Sequence, residues 1–226
     1  MQVEHKFNIL SIDIGIKNLG FAILSFDKLG KKKIDDFEVF FDIFDISKHL
    51  KKKGDIVNNR CAALIDWLHE LQTKYSDFKI IIIERQVNRN VMAMELMYAL
   101  TMGLRLIAPT ADIVIFDPKD KFLKLGLTYS TQNKSHKKQS ARYAKALIET
   151  FWPVHEQYFN DFDKKDDVSD AINQALVWLL SNGILTYDVD EYVSIIEQTP
   201  RPDQLITHIA KRRNIKHEQT PSASED

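Results

Sequence analysis

The stretch that most constrains this chain is Phe7 to Leu24, FNILSIDIGIKNLGFAIL. An apolar run enters at Phe7, meets Asp13, breaks at Gly15 and resumes as Gly20-Phe21-Ala22-Ile23-Leu24. The pattern predicts strand, tight turn, strand, with one carboxylate at the rim of a buried sheet. Aspartate is depleted from strands, and a buried charge without a partner costs several kcal/mol or simply neutralises. Asp13 therefore needs a partner, which is either a backbone amide of the turn or a metal ion.

Around this hairpin the spacing predicts a compact α/β unit. Strands are expected at 7–14 and 20–26. A third is expected at 37–46, FEVFFDIFDI, after the basic turn Lys28 to Lys33. Residues 56–75 carry Leu64, Trp67, Leu68 and Leu71 at helical spacing. KIIIIERQ (79–86) is a continuous apolar run ending in charge, which fits a strand buried on both faces. NVMAMELMYALTMGLRLI (90–107) is apolar nearly all round, so it is expected to be either a central core helix or one that also makes a dimer contact. ADIVIFDP (111–118) reads as a fifth strand. The segment 119–138 begins as a loop, and helices follow at 139–152 and from Asp166 to Leu180, the last stopped by Asn182-Gly183. Past about residue 196 the chain turns polar and ends TPSASED, where a mobile tail is expected. The predicted organisation is one domain over 1–185 and a C-terminal extension, partly disordered, over 186–226.

Three classes are set aside by composition. No apolar run is long enough for a membrane span, and the start enters a strand with no secretory or transit pattern, so an intracellular protein is expected. The single cysteine, Cys61, excludes an internal disulfide framework and a cysteine-based zinc cage. The net charge of -1 hides local imbalance. From Lys119 to Lys145 there are eight Lys and Arg against Asp120 alone, whereas Asp161 to Asp170 holds five acids against Lys164 and Lys165.

Acids stand where a soluble scaffold would avoid them. Asp13 ends the first strand, Glu84 ends the isoleucine run, and Asp166, Asp167 and Asp170 open a helix. Bland roles exist for each: Glu84 pairing with Arg85 or Arg89, Asp166 or Asp167 capping the helix. Three Asp within five residues exceed what a cap needs. Asp167 and Asp170 share one helix face, as do Asp166 and Asp170. If the first and fourth strands are neighbours and the late helix crosses their ends, the carboxylates converge. Two unit charges at about 4 Å repel by roughly 4 kcal/mol at an effective dielectric near 20. Such a cluster takes up protons or binds cations, and dense oxygen ligands suit Mg²⁺, with Mn²⁺ able to substitute. Two such ions roughly 3.5–4 Å apart activate a water and stabilise the leaving oxygen of a phosphodiester. Lys119, Lys121, Lys124, Lys134, Lys137, Lys138, Arg142 and Lys145, with Tyr129 and His136 among them, form either a solvated face or a phosphate-tracking one. The near absence of acids favours the latter.

SIDIGIKNLGFAI, IIIERQ and KKDDVSDAINQAL, in that order, resemble the RuvC-like Holliday junction resolvases over about residues 7–182. The poxvirus-type branch is the nearest match, and the yeast mitochondrial resolvases are nearer cousins than the bacterial enzyme. The resemblance implies an RNase H-like fold: a mixed five-stranded sheet flanked by helices, with the first strand central. It also implies a homodimeric, Mg²⁺-dependent endonuclease of DNA recombination and repair that resolves four-way junctions by paired symmetric nicks. Carried over by motif, Asp13 and Glu84 are metal ligands, Asp167 and Asp170 match the late-helix pair, and Asp166 is able to replace one of them. Lys138 or Lys137 falls where the family carries a lysine near the scissile phosphate, after the Pro118–Gly126 segment. Arg85, Arg89 and the basic stretch are expected to grip DNA. Gly15 and Gly20 are expected to turn the chain sharply and leave room above Asp13 for a phosphate backbone. If the chain is viral, its expected place is the site of viral DNA replication.

Two alternatives share these features: an RNase H-like nuclease acting on RNA or other branched DNA, and a non-catalytic nucleic-acid-binding module on the same fold. An actin-like kinase would need a second glycine-rich phosphate loop, which this chain of seven glycines lacks.

Overall fold

The computed structural model describes residues 6–27, 30–49, 56–75, 77–86, 89–120 and 133–186, with the backbone alone at 49, 56–59 and 133–136. Five strands form one sheet: β1 (Phe7–Ile14), β2 (Asn18–Phe26), β3 (Glu38–Asp45), β4 (Phe78–Glu84) and β5 (Asp112–Phe116). Their order is β3-β2-β1-β4-β5, so β1 is central. β1 runs antiparallel to β2 and parallel to β4, and β4 is parallel to β5. The mixed sheet follows from the links. Short turns join β1, β2 and β3 as a meander, whereas the parallel pairs need helical crossovers.

Those crossovers are α1 (Ile56–Lys74) and α2 (Val91–Ile107). The chain then continues through α3 (Asn133–Phe151), α4 (Glu156–Asn160) and α5 (Lys165–Ser181). Asn90 caps α2, its side chain accepting from the amide of Ala93 at 3.3 Å. Gly183, at φ 66°, lies just past the end of α5 in the left-handed region that a glycine enters without penalty.

Side chains alternate across β1 and β4, and each face has its own core. Leu10, Ile12, Ile81 and Ile83 pack with Trp67 and Leu68 of α1 and Leu100 and Leu104 of α2. On the opposite face Ile9, Leu24 and Ile82 pack with Leu147 and Ile148 of α3 and Ile172 and Leu176 of α5. Burying each such side chain is worth roughly 1.5–3 kcal/mol, so helices cover both faces of the sheet. Ser11, Asp13 and Gly20 share the parity of Ile9 and Leu24. Glu84 shares that of Ile82. All four therefore belong to the α3–α5 face.

Three boundaries differ from expectation. β2 begins at Asn18, so Gly20 lies inside a strand rather than in the turn. α3 begins at Asn133, well before residue 139, in a stretch where no apolar period announces a helix. α4 is too short to leave a periodic signature.

Candidate active site

The site is built where β1 and β4 end together. Ile12 is in register with Ile83, and Asp13 and Glu84 are the next residue on each strand. Two neighbouring parallel strands thus deliver two carboxylates side by side at their C-terminal ends. On its other side Asp13 is in register with Gly20 of β2. A Cβ at Gly20 would stand 2.2 Å from the carbonyl oxygen of Asp167 and 3.0 Å from the amide nitrogen of Val168. The missing side chain is what lets the first turn of α5 sit on the strand beside Asp13. This corrects the expectation for Gly20, which admits a helix rather than making a turn. Gly15 remains in the turn, where a Cβ would stand 2.1 Å from the carbonyl oxygen of Asn18.

α5 contributes Asp166 and Asp167 in its first turn and Asp170 one turn on. Its N-cap is Lys164, and that side chain makes no capping bond, so the acids are not spent as caps. Asp166 accepts a hydrogen bond and ion pair from Lys137 of α3. Asp170 Oδ1 accepts from Ser140 Oγ at 2.6 Å. Asp167's carboxyl is pushed above the ordinary carboxylate range, first by burial and then by Asp166, with Asp170 adding to it and Lys137 and Lys164 opposing. Burial works to lower Lys137, yet the bond to Asp166 and the charges of Asp166, Asp167 and Asp170 raise its ammonium above the usual lysine range. Of the two lysines left open by the sequence, Lys137 is thus the one at the acids. Lys138 is exposed next to it.

A raised carboxyl has a definite linkage sign. Between the ordinary pKa and the raised one, the folded protein holds the proton more often than the unfolded chain. Stability therefore falls as pH rises through that window and stays lowered above it. Asp167→Asn is expected to raise the thermal midpoint at neutral pH in chelator, and to leave it unchanged well below the ordinary carboxylate pKa. Calorimetry at the two pH values reads this.

Of the expected DNA contacts, Lys119, Arg85, Arg89, Arg142 and Lys145 are all exposed. Arg85 stands 3.9 Å from Asp117, and Lys145 stands 3.3 Å from Glu149 one turn along α3. Lys121, Lys124, Gly126 and Tyr129 lie outside the described residues, as do the side chains of Lys134 and His136 and the extension from 187 onward.

Sequence reasoning missed the buried amides beneath the acids. Gln174 Nε2 donates to Ser11 Oγ at 3.2 Å and to the carbonyls of Ile12 and Ile82, each at 3.3 Å. It ties α5 to both acid-bearing strands just before Asp13 and Glu84. Asn173 Nδ2 donates to the carbonyl and hydroxyl of Ser140 at 3.0 and 2.9 Å. The available signal was two adjacent amides set between Ile172 and Ala175 in an otherwise apolar run, in a helix that turns out to be buried on every side.

The acids fit a hard divalent cation in two respects. The donors are all oxygens, and the charges of Asp166 and Asp170, which add to burial in raising Asp167, are what a cation offsets. As placed, among the described residues, no three of His, Cys, Asp or Glu converge on one point. The fold gathers the acids on one rim.

A model of the family described as the poxvirus A22 protein matches residues 8–182. The chain belongs to that family. It is a family of Holliday junction resolvases, endonucleases acting on DNA junctions. Two solved structures share the RNase H-like architecture. Thermus thermophilus RuvC is 10% identical over 79% of this chain and 98% of that chain, with a TM-score of 0.52. The yeast mitochondrial Holliday junction resolvase Ydc2 is 18% identical over 76% of this chain and 79% of its own, with a TM-score of 0.54. No curated protein matches by sequence. At these identities the likeness speaks for the fold, and the family assignment rests on the match over 8–182. Among the described residues no helix is long and apolar enough to cross a membrane.

Proposed function

We propose that this resolvase works as a homodimer that nicks four-way DNA junctions in symmetric pairs, with Mg²⁺ or Mn²⁺, two ions per site, held by Asp13, Glu84, Asp167 and Asp170. The observation that carries it is the meeting of three elements at one rim: β1 and β4 in register and α5 seated on Gly20. When bound, the ions supply charge stabilisation and an activated water for phosphodiester hydrolysis. Repulsion among the carboxylates, roughly 4 kcal/mol for a pair at about 4 Å, is what such ions offset.

The chain's own residues have separable roles. Asp13 and Glu84 are fixed by the sheet and define the floor of the site. Asp167 and Asp170 descend on it from α5. Asp166, engaged with Lys137, serves as that lysine's tether rather than as a ligand. Lys137 then stands ready to offset charge developing on the scissile phosphate. Lys138 and Arg142 extend the same helix outward, and with Lys119, Arg85 and Arg89 they contact backbone phosphates, so recognition is of shape and charge rather than base edges. Residues 1–185 form the nuclease domain, and the remainder is an extension to it. The protein acts where viral DNA is replicated in the host cell.

Dimerisation is supported by the outward side of α2. Val91, Tyr98, Met102 and Leu106 are 64%, 58%, 66% and 81% exposed and follow one another at helical spacing. An apolar stripe of this kind on a helix already packed on its inner side suits a second copy. Leu106→Glu is expected to shift sedimentation from dimer to monomer.

The deciding experiment compares cutting of a synthetic four-way junction, a linear duplex and an RNA–DNA hybrid in Mg²⁺. Paired nicks confined to the junction are expected. Equal cutting of the hybrid would move the substrate to RNA, and binding without cutting in both Mg²⁺ and Mn²⁺ would leave a binding module.

A further inference from the structure

We propose that Ser140 is a positioning residue for Asp170, its hydroxyl oriented by Asn173 so that Asp170 presents its carboxylate in one fixed direction. The inference rests on the proposed role of Asp170 as a cation ligand.

Ser140 lies on the basic helix α3 yet is 1% exposed, and Asn173 of α5 is fully buried. The hydroxyl has one hydrogen. Asn173 Nδ2 donates to Ser140 Oγ at 2.9 Å and so occupies a lone pair. The same Nδ2 donates to the Ser140 carbonyl at 3.0 Å, which pins the amide to this residue. The hydroxyl hydrogen is thereby directed to Asp170 Oδ1, 2.6 Å away, within the range of a charge-assisted bond. An aspartate left to itself rotates broadly about its last torsion. Here one oxygen is engaged by a donor that cannot turn elsewhere, and the plane of the carboxylate is set.

The same contact joins the basic helix to the ligand. α3 meets α5 at two successive points, Lys137 with Asp166 and Ser140 with Asp170. Groups that orient ligands in this way typically change metal affinity or activity by about 10–100-fold when removed.

The test uses the full chain and Mn²⁺ as probe, with affinity read by calorimetry without DNA and cleavage of a four-way junction read separately. Ser140→Ala removes the hydroxyl with almost no change in volume. It is expected to lower Mn²⁺ affinity by at least about tenfold, to leave junction binding in Ca²⁺ unchanged, and to have no further effect on Mn²⁺ affinity in an Asp170→Asn background. Ser140→Thr, which keeps the hydroxyl, should restore the affinity. Wild-type Mn²⁺ affinity in Ser140→Ala, or an equal loss in both backgrounds, overturns the proposal. Should the Ser140 variants not fold, Asn173→Ala approaches the same bond from α5. A loss of Mn²⁺ affinity that vanishes with Asp170→Asn supports the proposal, and no loss overturns it. A wild-type protein that binds Mn²⁺ but leaves the junction intact sinks the nuclease reading alone, because the coupling is read from affinity.

Discussion

Asp13→Asn is expected to abolish junction cleavage while leaving junction binding intact. Asp13 sits at the end of the central strand, in register with Gly20 and following the Ile12–Ile83 pair that brings Glu84 alongside. Glu84 of β4 lies on one side of it, and the Asp167 turn lies across Gly20 on the other. Removing a ligand from a catalytic cation site forfeits several kcal/mol of transition-state stabilisation. At about 1.4 kcal/mol per tenfold, the rate falls by at least roughly a thousandfold. Single-turnover cleavage in Mg²⁺ measures this, and a gel-shift in Ca²⁺ checks that binding survives. Cutting at the wild-type rate would remove Asp13 from the metal set.

The second large effect belongs to a residue with no side chain. Gly20→Ala places a methyl 2.2 Å from the carbonyl oxygen and 2.4 Å from the carbonyl carbon of Asp167. Neither neighbour is a flexible side-chain end, so α5 must lift off β2. Overpacking of this kind costs about 1–3 kcal/mol, which for a protein of this size lowers the melting midpoint by roughly 2–12 °C. Cleavage should fall further than the lost stability accounts for, because Asp167 and Asp170 ride on the displaced helix. Thermal melts beside cleavage assays at a temperature where the variant stays folded separate the two effects. A variant that melts and cuts like wild type would mean that α5 does not depend on this seat.

The sheet was legible because its strands carry their burial in plain view. The isoleucine run of β4 and the hairpin of β1 and β2 leave little choice of structure, and the acids at their ends mark the site. The helix boundaries were less legible. α3 opens on Asn, Lys, Ser and His, three of which are weak helix formers, and no apolar period shows it. The role of Gly20 was hidden for a different reason. A glycine beside a turn looks like part of the turn, and only the approach of a helix from far along the chain reveals what its absent Cβ makes room for. Ser140, Asn173 and Gln174 were invisible for the converse reason. Polar letters in a helix read as solvent-facing, and only the packing of α5 against α3 and against the sheet encloses them.

The seat at Gly20 also has a consequence for when the protein becomes able to cut DNA. Asp13 and Glu84 are brought together by strands that come early in the chain, but the rim is finished only when α5, among the last described elements, lands on β2. Contacts this distant in sequence form late, after the loop between them has been closed. A chain emerging from the ribosome presents all five strands, and two of the acids, before the others have been made. The gathering of the acids at one rim is therefore completed by a final docking event. A chain interrupted before Lys165 holds every strand but lacks the helix that completes the rim.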